Sequence, residues 1–68
     1  MISDDEELIA RACKAFMRLN PDAPFPSRVD SEVEDYTEYE LLISLRNVNG
    51  VLAEYVFNLH HDTLRRIR

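Results

Sequence analysis

Apolar positions recur at two different periods along this chain, and the change of period divides it. Leu8, Ile9, Ala12, Cys13, Phe16 and Met17 fall three and four apart, which places them on one stripe of a helix. Glu7, Arg11, Lys14 and Arg18 line the opposite side. From Thr37 onward the period is two. Tyr39, Leu41, Ile43 and Leu45, then Val51, Ala53, Tyr55, Phe57 and Leu59, put nearly all the apolar bulk on odd positions of two successive segments.

The helix has a start and a stop in the sequence. Ser3 and Glu6 are spaced as a capping box, in which each side chain satisfies the other residue's free backbone N–H. Asp4, Asp5, Glu6 and Glu7 set negative charge on the positive end of the helix dipole, with Lys14 and Arg18 toward the other end. The ring of Pro21 disfavours helical backbone at Asn20, so a helix is expected over residues 4–19. Pro21, Pro24 and Pro26 then make a stiff connection, read as a crossover from helix to sheet in preference to a proline-rich ligand motif. Residues 28–35 alternate weakly, with Val29, Ser31 and Val33 on one side and Arg28, Asp30, Glu32 and Glu34 on the other, as in an edge strand with a wetted face.

The two odd-patterned segments flank Asn47-Val48-Asn49-Gly50 and read as a hairpin. A two-residue Asn49-Gly50 turn would oppose odd with even, setting Leu45 against Glu54 and Leu41 against Asn58. A slip of one residue flips a whole strand, so that register divides the apolar set between faces. A three-residue loop, Val48-Asn49-Gly50, instead pairs Leu45 with Ala53, Ile43 with Tyr55, Leu41 with Phe57 and Tyr39 with Leu59. It also places Asn47 and Gly50 where a turn ending in a left-handed glycine wants them. His60-His61-Asp62 reads as a further turn, and Thr63 to Ile67 as a short returning strand in preference to a final helical turn capped by Asp62. The expected fold is α+β: an N-terminal helix packed on one face of a three- to four-stranded antiparallel β-meander, one domain over residues 1–68. Tyr39, Phe57 and Phe16 are expected to supply its bulk.

Composition narrows the chemistry. A chain of 68 residues has a small core, because domains of this size bury only about 60% of the surface of the unfolded chain. Cys13 is the one cysteine, which leaves no intrachain disulfide and suits a reducing, cytoplasmic compartment. No apolar run reaches the roughly 20 residues that a membrane span needs. Charge is uneven: residues 1–40 carry net −7 and residues 41–68 net +2, within a total of −5. Generic nucleic-acid affinity comes from phosphate neutralisation by Lys and Arg, so an acidic chain is a poor candidate for it. The C-terminal Arg65, Arg66 and Arg68 are the one basic cluster that offers such a contact; the alternative is that they meet the acidic stretch of residues 30–40, within one chain or across a dimer.

Candidate chemistry is sparse. His60, His61 and Asp62 resemble metal ligands, but adjacent histidines in an extended chain point to opposite sides, and Cys13 lies on the apolar helix stripe. One glycine, Gly50, leaves no phosphate-cradling loop, and the carboxylates of residues 30–40 read as a solvated strand and not as an acid–base pair. No cofactor and no catalysis are expected. On the even face of the hairpin, Leu42 opposes Val56 with Leu52 close by, and Tyr36, Glu38 and Glu40 stand in the acidic stretch before it. Tyrosine among charges is a common interface composition. Leu42, Leu52, Val56, Tyr36, Glu38 and Glu40 are therefore the candidate interaction surface. It suits another protein, one with a basic surface, or a second copy of the chain in a weak homodimer; the competing reading is that the C-terminal segment, with Leu64 and Ile67, folds back over the apolar patch within one chain.

Overall fold

The computed structural model of the chain describes residues 4–68, so the Ser3 half of the expected capping box lies outside the described residues. Helix α1 runs Asp4–Leu19 and is followed by strands β1 (Ser27–Thr37), β2 (Glu40–Asn47), β3 (Gly50–Asn58) and β4 (Thr63–Arg66). The strands form one antiparallel sheet in the order β1-β2-β3-β4, and α1 packs across β1, β2 and β3 on one face. This is the expected α+β meander, with four strands.

The helix stripe is the one that the spacing marks. Leu8, Ile9, Ala12 and Phe16 are buried, with Cys13 and Met17 half-buried beside them. At its end, the backbone N–H and the side-chain amide of Asn20 both donate to the Phe16 carbonyl, at 2.9 Å each. Asn20 thus makes the last backbone bond of the helix and doubles it with its side chain, and Pro21, which has no N–H, stops the ladder there. Facing the stripe are Ile43, Leu45, Ala53, Tyr55 and Phe57.

The hairpin keeps odd opposite odd where it matters. Leu41 faces Phe57, Ile43 faces Tyr55 and Leu45 faces Ala53. The tip differs from the expected three-residue loop. Asn47 faces Gly50 across a two-residue Val48–Asn49 turn, and Arg46 faces Val51. The register then slips between Leu45 and Arg46, so Leu52 is an extra residue on β3. A β-bulge absorbs the one-residue mismatch that seemed to require a longer loop. Gly50 takes φ 122°, a region that side chains disfavour. The Asn47 side chain accepts from the Asn49 N–H at 2.8 Å and holds the turn.

Two expectations about the core need correction. Tyr39 is 45% exposed, not core bulk, because the chain reverses at Glu38–Tyr39 between β1 and β2. Its carbonyl still accepts from the Leu59 N–H at 2.8 Å, so the expected pairing survives in the backbone while the ring leaves. Val29 is 93% exposed, because β1 is not regular at its start. Ser27 faces Arg46, whereas the next pair is Glu32 with Ser44, so residues 28–31 bow out of the ladder. Ser31 repairs the gap: its buried hydroxyl donates to the Ser27 carbonyl at 2.7 Å and accepts the Arg46 N–H at 3.0 Å.

Candidate functional site: the acidic edge of the sheet

The expected apolar patch on the open face of the sheet is not an exposed patch. Val56 is 1% exposed and Ser44 2%, although no helix covers them. Leu42, opposite Val56, is half-buried, and the bulge at Leu52 brings that side chain against the helix-side core. Charged side chains supply the cover. Glu32 pairs with Arg46 at 3.1 Å, Glu40 with Arg65 at 3.5 Å and Glu54 with Arg68 at 3.0 Å. The side chains of Glu40 and Glu54 are only 15% and 16% exposed, so these acids lie along the sheet and do not stand off it. Long stems of this kind shield apolar surface while their heads stay wet.

The C-terminal arginines are part of that arrangement. Arg65 and Arg68 hold Glu40 and Glu54, and the Arg66 guanidinium sits 5.5 Å over the Phe16 ring. The backbone of the last residues continues the ladder, since Ile67 donates to the Glu54 carbonyl at 2.9 Å. Sequence reasoning placed Arg11 on a plain solvated helix face. In the fold it lies 5.0 Å over the Phe57 ring and pairs with Asp62 at 3.0 Å, tying α1 to the β3–β4 turn.

His60, His61 and Asp62 do form a turn. The Asn58 side chain accepts the N–H of both His60 and His61, and Asp62 takes φ 53°, which an aspartate tolerates. His60 packs 5.0 Å from the Tyr39 ring, and Asp62 is engaged by Arg11. Among the described residues, no three His, Cys, Asp or Glu side chains converge as metal ligands. Burial pushes the Cys13 thiol pKa up, with Arg28 opposing, which lowers the thiolate fraction that nucleophilic work requires. Burial likewise raises Tyr55, with Arg66 opposing and Cys13 adding to the rise, and its hydroxyl is buried without a hydrogen-bond partner. A groove of about 450 Å³ opens between α1 and the bow of β1, floored by Ile9, Ala10 and Val29. No described helix is long and apolar enough to cross a membrane.

What stands exposed is β1 itself. It is an edge strand, and Asp30, Glu34, Asp35 and Glu38 along it and its turn are exposed with no ion-pair partner among the described residues. Tyr36 is an extra residue between the Asp35–Leu41 and Thr37–Glu40 pairs, half exposed and next to Glu38 and Tyr39. Of the six expected surface residues, Tyr36 and Glu38 lie together here with Glu40 at the adjacent strand start, while Leu42, Leu52 and Val56 are turned to packing. The edge position expected for residues 28–35 is the one that β1 takes, whereas the bows at residues 28–31 and at Tyr36 were not visible in its weak alternation. Comparison with known protein families, curated proteins and solved structures finds no match for this chain.

Proposed function

We propose that this chain is a small binding module that works by contact with another protein and not by catalysis, and that its contact surface is the acidic edge of β1 with the Tyr36–Glu38–Tyr39 tip. One observation carries the reading: an unpaired strand edge and its turn bear four carboxylates that no cation among the described residues answers. An unpaired edge presents N–H and C=O groups that a partner strand can complete, and side chains on either side set the specificity. The preferred partner is a basic, extended segment. The lone, half-buried Cys13 supports a cytoplasmic setting.

The test is a titration of a fluorescent peptide of alternating lysine and valine, at low salt and then at rising ionic strength. Binding should weaken as salt screens the exposed charges and should be lost in the Glu34→Lys, Asp35→Lys variant. A peptide that fails to bind at low salt, or binds the variant equally, overturns the reading.

A further inference from the structure

The sheet has two edges, and they differ in sign. The β1 edge carries Asp30, Glu32, Glu34 and Asp35, and the β4 edge carries Arg65 and Arg66 with Arg68 just beyond. Like charge keeps β1 from adding to another β1, and β4 from another β4, as edge charges commonly do. The unlike pairing has no such barrier. We propose that β4 of a second copy of this chain docks on β1, so that copies associate head to tail through their complementary edges; this rests on the reading of β1 as a docking edge and names its occupant.

Three features fit that occupant. First, direction: a meander of four antiparallel strands begins and ends with strands of opposite sense. A copy added side by side, with its helix on the same face, therefore brings β4 antiparallel to β1. Second, length. Bows at residues 28–31 and at Tyr36 leave Glu32–Asp35 as the regular stretch of β1, a length close to that of β4, and three residues of each, Glu32–Glu34 and Thr63–Arg65, coincide when Val33 faces Leu64. Third, side-chain placement. Val33 faces Ile43 and Leu64 faces Phe57, so Val33 and Leu64 are both half-buried on the helix face, at opposite edges. Setting Val33 against Leu64 of the second copy sets Glu32 against its Arg65 on the open face, with Glu34 diagonal to that arginine. The row of alternating charge on that face then continues across the junction.

A three-residue ladder, with Asp35 opposite Asp62 at its end, is a small interface, so the association is weak, and being heterologous it does not stop at two copies. Sedimentation of the full chain from micromolar to millimolar concentration, at low salt, should show a mass that rises past the dimer and falls back with added salt. A Glu32→Lys, Glu34→Lys variant and an Arg65→Glu variant should each stay monomeric, because each sets like charges across the junction. Mixed in equal amounts, they should associate again. Circular dichroism and melting establish that each variant is folded; if either is not, Glu32→Gln and Arg65→Gln replace them, each expected to weaken association about tenfold, or about 1.4 kcal/mol. A wild type that stays monomeric at millimolar concentration, a mass that saturates at two copies, or a mixture that fails to recover association overturns the inference. Peptide binding without self-association overturns this inference alone, whereas loss of both overturns the reading of β1 as well.

Discussion

The two faces of the sheet reach the same burial by different means. On one, α1 lays Leu8, Ile9, Ala12 and Phe16 against Ile43, Leu45, Ala53, Tyr55 and Phe57, and the contact is apolar on both sides. On the other, Val56 and Ser44 are as inaccessible as Ile43, yet Val56 stands between Leu42 and Arg65, and Ser44 between Glu32 and Glu54. The Arg46 Nε is buried with no partner, which shows how closely that side chain lies down on the sheet. A helix cover excludes water through a rigid apolar contact. A cover of paired side chains excludes it through stems that remain flexible and through ion pairs that salt weakens.

The largest expected difference between the faces is at Phe16. Phe16→Ala should cost about 3–5 kcal/mol, comparable to the whole stability of a domain this size. A cooperative melt within a few degrees of wild type would break the helix-side account. On the open face, Val56→Ala removes the equivalent of two methylenes at about 0.8 kcal/mol each, so urea denaturation should show a loss near about 1.6 kcal/mol. A loss of only a few tenths would mean that the charged cover leaves Val56 wet in solution.

Tyr55→Phe tests the helix side from the opposite direction. Its hydroxyl is buried and unpartnered, so removing it should stabilise the domain by about 1 kcal/mol. The same variant carries a pH signature. With the folded pKa raised, the native state holds a proton that the unfolded state releases, so stability falls as pH rises above about 10. Cys13, also raised, adds a fall that begins at lower pH. The Tyr55→Phe protein should keep the earlier fall and lose the later one; an unchanged alkaline profile would contradict the buried phenol. The smallest effect should be at Glu54 and Arg68, where a double-mutant cycle should return less than about 1 kcal/mol, declining with salt. A larger, salt-independent coupling would show that the open face is held by more than an ion-pair cover.

Part of this division was legible before any coordinates. Helix boundaries, the odd-on-odd register, the His60-His61-Asp62 turn and the returning strand follow from period, proline position and turn chemistry, which are local. The burial of Val56 was one of two open readings, cover by the returning C-terminal segment. The residue set opposite it is Arg65 and not an apolar side chain of that segment, and no apolar period records an arginine stem. The bulge at Leu52 escaped for a related reason: two turn geometries satisfied one hydrophobic register, and the facing argument distinguished faces without counting the residues between them.

By itself, the sequence determined the elements, their order and the inward face of α1 and of the middle of the β2–β3 hairpin, because the 3.6- and 2-residue periods tie side-chain direction to backbone form. Tertiary structure alone decided where the strands bulge, which acids find an arginine and which remain unanswered. Asp30, Glu34, Asp35 and Glu38 read no differently along the chain from Glu32, Glu40 and Glu54. Only the strand order brings Arg46, Arg65 and Arg68 within reach of the second set and leaves the first facing water, since ion pairing depends on distances of a few ångströms between residues far apart in sequence.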